Sequence, residues 1–286
     1  KPGRTRYALL LDERGYVIED GLIGRDDETR FFLTFTSAGA SFAEMWIRDW
    51  AESRGCDVRL LDRTMALGAI NVTGPRAKEL LSRLGHAPTI PHMGHVDAVI
   101  AGVRCRVFRL SFTGEMSYEL HHPAEESVRL WRALLDAGAD FGIGPHGLDT
   151  LFRLRLEKGH VIVGMDTEFD STPRRLGMAW AVRMDKGDFV GRESLIRTEA
   201  LPLDKKLLGL EMIGDAPFEG DVIWREGGPV GQVTSARFSP VLAKSVILGW
   251  VTLDGGGSPG PLVIDGRPAT PSRTPFYDPE GLRARG

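Results

Sequence analysis

The sequence predicts an α+β chain ending in a small all-β domain, and three observations carry that prediction. Strand-like runs separated by tight turns alternate with amphipathic helices in mixed order, which suits hairpin-built α+β layers better than a doubly wound sheet. The texture changes past about Pro202, where Gly227-Gly228-Pro229, Gly255-Gly256-Gly257 and Gly260-Pro261 punctuate short β-rich runs. The chain's 286 residues, 42% hydrophobic and 26% charged, allow two or three domains with buried cores.

The elements follow in order. Tyr7–Leu11 is an apolar strand, Asp12-Glu13-Arg14-Gly15 a turn, and Tyr16–Ile18 a return strand running into Glu19-Asp20-Gly21. Arg30–Thr36 mixes aromatic and β-branched residues as a strand does, and Ser41–Arg54 sets Phe42, Met45, Trp46 and Trp50 at helical spacing. Met65–Val72 is a strand, and Gly74-Pro75 opens a helix through Leu84, with proline where its missing N–H is harmless. Ala98–Phe112 holds two strands around Gly102, and Ala124–Ala137 is a helix. Leu207–Met212, Val230–Thr234 and Ser245–Val251 are strands of the last domain, whose boundary falls between Ala200 and Lys206. The glycine run after Asp254 is a candidate mobile loop.

Several function classes are disfavoured. A net charge of -3 leaves no electrostatic footprint for nucleic acid or an anionic membrane, and no apolar run reaches the ~20 residues of a spanning helix. A cytoplasmic chain is expected. Cys56 and Cys105 lack CxxC spacing and read as reduced thiols. The chain opens on Lys1 without an initiator Met, which suggests a fragment or a processed chain. Gly142-Ile143-Gly144-Pro145-His146-Gly147 satisfies GxGxxG, yet it follows a helix where a dinucleotide site needs a strand, and Pro145 removes a donor. His92-Met93-Gly94-His95 and His121-His122 have no third ligand at useful spacing, and adjacent strand histidines point to opposite faces, so no metal is expected. No nucleophile elbow or Walker A sequence is present.

Two carboxylate positions invite a site. Glu19-Asp20 ends a strand just before Gly21, where a backbone can approach a ligand, although composition alone favours a solvated turn. Glu119, between Tyr118 and Leu120, can accept two N–H bonds from an amide or aminopyrimidine edge, or can simply be an edge-strand charge.

Both positions lie in runs that resemble the glycine-cleavage T-protein (aminomethyltransferase) family, and within it the folate-binding C-terminal half of the heterotetrameric sarcosine oxidase alpha subunit. The resemblance is carried by Arg6-Tyr7, Leu11-Asp12-Glu13-Arg14-Gly15, Glu19-Asp20-Gly21 and Ser111–Leu120. It continues through Arg155–Thr167, Thr172-Pro173, Leu176–Trp180, Lys186–Leu195 and Phe276–Gly281, in order along nearly the whole chain. The resemblance implies a T-protein-like fold, with a split α+β domain, a ferredoxin-like domain and a C-terminal β-barrel. Residues 1–200 would form the folate-binding region, made of two intertwined subdomains, and residues 201–286 the barrel. Family members carry a further N-terminal stretch, so this polypeptide would be incomplete or completed by another chain.

The resemblance also implies tetrahydrofolate as cofactor and one-carbon transfer from a small amine or N-methylated donor. The catalytic carboxylate would be Asp20 or Glu19, with Asp20 favoured because its Asp-Gly pair matches the oxidase group. Glu119 would grip the pterin ring, while Tyr7, Arg155 and Trp180 fall on motif positions near the site. Thr36 stands where the T protein has Asn, which changes that polar contact. Three functions fit: an aminomethyltransferase-type enzyme linked to N-methyl amine oxidation, a non-catalytic folate-binding module beside a flavoprotein partner subunit, or a demethylase forming methyltetrahydrofolate.

Overall fold

The computed structural model describes residues 1–85, 89–255 and 257–286. The glycine run after Asp254 includes Gly256, which lies outside the described residues. The chain divides into two compact units: residues 1–8, 19–146 and 281–286 form the first, and residues 9–18 and 147–280 the second.

In the first unit the elements run β1 (Arg4–Leu11), β2 (Val17–Arg25), β3 (Phe31–Phe35), α1 (Ala40–Ser53), β4 (Leu67–Thr73), α2 (Ala77–Arg83), β5 (Gly94–Ile100), β6 (Val103–Arg109), β7 (Ser117–Pro123) and α3 (Ser127–Ala137). Seven strands make one sheet in the order β3-β2-β1-β5-β6-β7-β4. The pairs β2–β3, β5–β6 and β6–β7 are antiparallel, as consecutive hairpins demand, and β4 pairs antiparallel with β7 across the intervening α2, β5 and β6.

Side-chain alternation divides this sheet cleanly. Val72 of β4, Ile100 of β5, Val103, Cys105 and Val107 of β6, and Tyr118 and Leu120 of β7 meet Leu80 and Leu81 of α2 and Leu130 and Leu134 of α3 in one apolar core. Leu130 and Leu134 are spaced i, i+4, so one face of α3 delivers both to the sheet.

The opposite face is built differently. Thr5 of β1 hydrogen-bonds His95 of β5 at 3.0 Å, and His95 lies 5.1 Å from the Phe108 ring. Phe32 of β3 reaches Phe108 at 5.6 Å, although three strands separate β3 from β6 in the sheet order. The sheet therefore curls strongly toward this face. Gly24 is what permits the approach, because a Cβ there would stand 3.1 Å from the His95 ring and 3.2 Å from that of Phe108.

The second unit holds α4 (Leu148–Glu157), α5 (Arg192–Glu199) and the strands β8 (Lys205–Met212), β9 (Val222–Arg225), β10 (Gly228–Ser239), β11 (Lys244–Thr252), β12 (Leu262–Ile264) and β13 (Arg267–Ser272). The six strands close as a barrel in the order β10-β11-β8-β13-β12-β9, which removes every free edge. Leu210, Ile223, Val233, Ile247, Val251, Leu262 and Ile264 fill its interior. The turn joining β1 to β2 belongs to this unit: Asp12 Oδ1 accepts the Arg14 and Tyr16 N–H groups, and the Ser194 hydroxyl of α5 donates to the Glu13 carbonyl. The barrel starts near the texture change at Pro202, but residues 147–200 share its unit. Helix α6 (Leu282–Arg285) returns to the first unit, where Arg283 pairs with Glu115 and Arg109 bonds the Arg285 carbonyl.

Most sequence-derived elements sit within a few residues of the observed ones, but β2 runs on to Arg25 and β10 to Ser239, well past the expected Tyr16–Ile18 and Val230–Thr234. The Gly142–Gly147 segment follows a short 3-10 helix at Ala139–Phe141, not a strand, so it lacks the context of a dinucleotide fingerprint. Both cysteines are free, Cys56 exposed and Cys105 buried.

Candidate functional site

The acidic pair lies within β2 and not at a strand end as the sequence suggests, because pairing with β3 carries the strand on from Gly21 to Arg25. Successive residues of a strand face opposite ways, so Glu19 and Asp20 occupy different environments despite being neighbours. Glu19 is 3% exposed. Its Oε1 accepts the Asp20 backbone N–H at 3.0 Å, and its Oε2 accepts the Thr36 hydroxyl at 2.9 Å. The same Thr36 oxygen accepts the Gly39 N–H at 3.1 Å just before α1. A Cβ on Gly39 would fall 1.3 Å from Glu19 Oε2, so only glycine leaves room for this carboxylate.

Asp20 points the other way. Its Oδ2 accepts the Tyr7 hydroxyl at 2.7 Å. Burial raises the Asp20 carboxyl above the usual aspartate range and nearby Glu19 adds to that, while the Tyr7 bond opposes it. The Tyr7 phenol is pushed far up, first by burial and then by the Asp20 charge. Tyr7 therefore stays protonated and acts as a donor that fixes the orientation of Asp20.

By alternation, Tyr7 shares a face with Thr5, Asp20 shares one with Gly24, and Glu119 shares one with His121. Thr5 and Gly24 both meet His95, and His121 lies 5.1 Å from Phe108. Tyr7, Asp20 and Glu119 thus stand on one face of the sheet, opposite α2 and α3. Glu119 is half-buried, and its Oε2 lies 3.4 Å from His121 Nε2. Thr36, at the end of β3, holds Glu19 and so joins this group indirectly.

Arg155 and Trp180 lie in the second unit. Arg155 is 1% exposed, and its Nη1 donates to Asp166 at 2.7 Å and to the His160 carbonyl at 2.8 Å. Its Nη2 donates to the Ser235 hydroxyl at 2.7 Å. Asp166 also accepts from Thr234, Ser235 and the Ile162 N–H, which ties the 158–166 loop and α4 to β10. Both terminal nitrogens of Arg155 are thus engaged by protein acceptors. Trp180, in a short 3-10 turn, is 71% exposed.

Two further histidines have structural partners. His95 bridges Thr5 and Asp26, while His122 bonds the Leu120 carbonyl and the Ser127 hydroxyl. His121 and His122 do face opposite ways. Among the described residues no cluster of His, Cys, Asp and Glu could hold a metal ion, and no helix is long and apolar enough to cross a membrane.

A curled α+β unit with an oriented carboxylate, followed by a closed six-strand barrel, defines the class to which the sequence comparisons lead. The GCVT N-terminal domain matches residues 1–186, and the glycine cleavage T-protein C-terminal barrel domain matches residues 205–278. The chain belongs to the glycine cleavage T-protein family. An aminomethyltransferase of Symbiobacterium thermophilum is 33% identical over 287 residues, covering 96% of this chain and 76% of that protein. A sarcosine oxidase subunit alpha of Corynebacterium sp. is 31% identical over 312 residues, covering 100% of this chain but only 32% of that protein. The crystal structure of the glycine cleavage system aminomethyltransferase T from Bartonella henselae has the same fold, with a TM-score of 0.83 at 24% identity, over 98% of this chain and 77% of that one.

Proposed function

We propose that this chain is an enzyme that binds tetrahydrofolate and transfers a one-carbon unit to it from a small amine donor. The observation that carries the reading is the separation of the acidic pair. Glu19 is consumed by Thr36 and the backbone, whereas Asp20 is oriented by Tyr7 on the face that also carries Glu119. Family membership and the aminomethyltransferase relatives support the reaction class.

The residues fit the ligand's chemistry. Glu119 has a carboxylate with one oxygen beside His121, which leaves acceptor capacity for the N–H edge of a pterin. When bound, tetrahydrofolate would supply a secondary amine nitrogen as acceptor of the one-carbon unit. Asp20 in its ionised form stabilises positive charge developing on the donor carbon, and its low-polarity setting strengthens that interaction. A carboxyl with a raised pKa also exchanges a proton more readily near neutral pH than an ordinary aspartate. Tyr7 restricts the rotamers of Asp20 so that little reorganisation accompanies the reaction. Arg155 contributes from within its unit by rigidifying the 158–166 loop, and Trp180 offers an exposed aromatic surface.

Alignment of the whole chain with about a third of a sarcosine oxidase alpha subunit favours a second level of the proposal. Here the donor arises from oxidation of an N-methyl amine by a flavoprotein partner, and this chain captures the product. The decisive experiment replaces Asp20 with Asn and measures both tetrahydrofolate affinity and transfer. Intact binding with slow transfer supports a catalytic Asp20, and equal transfer rates would remove Asp20 from the reaction.

A further inference from the structure

His121 is not used by the proposed reaction, yet its ring is packed between two aromatic side chains beside Glu119. Alternation on β7 sends Tyr118 and Leu120 into the core beneath α2 and α3, and sends Glu119 and His121 to the opposite face. The His121 ring packs edge-on against Phe108, with centroids 5.1 Å apart and planes at 65°. It also packs against Phe32 at 5.4 Å and 83°. Phe108 itself is 1% exposed and is wedged beside His95 by the close approach at Gly24. Two aromatic walls thus fix the imidazole plane.

The fixed ring aims Nε2 at Glu119 Oε2, 3.4 Å away. An ionised carboxylate only accepts, so the proton on that line belongs to Nε2. Glutamate has three side-chain torsions and would otherwise sample several rotamers on a strand surface. Anchoring one oxygen leaves the other, and the remaining lone pairs of the first, directed away from the imidazole.

We infer that His121 is a positioning residue that holds Glu119 in the geometry required to grip a planar N–H-bearing ring. The inference rests on the reading of Glu119 as the pterin ligand. The aromatic pair Phe32–Phe108 carries no donor of its own, so its part is to keep the imidazole in plane. Arg106, opposite His121 in the β6–β7 register, is occupied by Asp26 and Asp97 and lies over Phe32 at 4.9 Å.

The test is a double-mutant cycle on the full chain, read by calorimetric titration with tetrahydrofolate. His121→Phe keeps an aromatic body and removes the donor, and should raise Kd about five- to tenfold. In a Glu119→Ala background the same change should cost about twofold or less, because its effect passes through Glu119. His121→Gln, which restores an N–H donor, should recover most of the affinity. Equal losses in both backgrounds, or no loss in either, would overturn the positioning role. Failure of the wild-type chain to bind tetrahydrofolate would overturn the functional reading instead. If His121→Phe does not fold, His121→Met runs the same cycle.

Discussion

Tyr7 donates its hydroxyl proton to Asp20 at 2.7 Å between the neighbouring strands β1 and β2, while the adjacent Glu19 is turned away and held by Thr36. Two carboxylates one residue apart thereby acquire different tasks. One secures β2 to the segment just before α1, and the other is presented with its orientation set.

Asp20→Asn removes the charge but keeps an oxygen that can accept from Tyr7. One-carbon transfer should fall about a hundredfold or more, with tetrahydrofolate affinity changed by about twofold at most. Single-turnover assays with an aminomethyl or N-methyl donor, paired with calorimetry, check this. The folded-state pKa of Asp20 is raised, so the folded chain binds its proton more tightly than the unfolded one. That contribution to stability is present at low pH and is lost as pH rises through the raised value. At neutral pH the Asn variant should therefore unfold at the same or a higher urea concentration than the wild type.

Tyr7→Phe should move the acid limb of the pH–rate profile to higher pH. The Tyr7 hydrogen bond lowers the Asp20 pKa against the burial that raises it. Removing that bond leaves burial and the Glu19 charge opposed only by a backbone hydrogen bond, so Asp20 takes up its proton at a higher pH. Rates measured across the acidic range decide the matter, and an unmoved limb would separate Tyr7 from the titrating group.

Gly39→Ala tests the seat of Glu19. The new methyl would lie 1.3 Å from Glu19 Oε2, so the carboxylate or the chain before α1 must shift. A stability loss of about 1–3 kcal/mol is expected by urea unfolding. Transfer should fall too, since displaced Glu19 no longer holds the Asp20 N–H.

The buried ion pair of the second unit makes a stability prediction. Asp166→Ala would leave the Arg155 guanidinium buried without its carboxylate, at a cost of about 3–5 kcal/mol. Chemical denaturation followed through Trp250, whose indole N–H donates to the Asp166 carbonyl, reports this directly.

Much of this architecture was legible in the chain. The apolar run Tyr7–Leu11 marks β1, the aromatic and β-branched residues of Arg30–Thr36 mark β3, the Phe42-Met45-Trp46 stripe marks α1, and Gly/Pro density announces the barrel. What escaped depends on contacts between residues distant in sequence. Nothing local in Asp12-Glu13-Arg14-Gly15 says that the β1–β2 turn packs with α5, a relation made by the Ser194 and Glu13 bond. The motif around Arg155 was visible, but its burial depends on Asp166 and Ser235, which lie 11 and 80 residues away. Thr36 was read through its position near the site, and its structural partner is Glu19. Beside His122, His121 suggests only a metal ligand in the sequence. Its place beside Glu119 followed from strand alternation, which puts residues i and i+2 on one face, and that signal was available.

The most direct test of the central claim is a calorimetric titration of tetrahydrofolate into the wild-type chain and its Glu119→Ala variant. The account predicts saturable binding at one site, weakened about tenfold or more by the substitution. Absence of binding to the wild type, or equal affinity in both proteins, would contradict it.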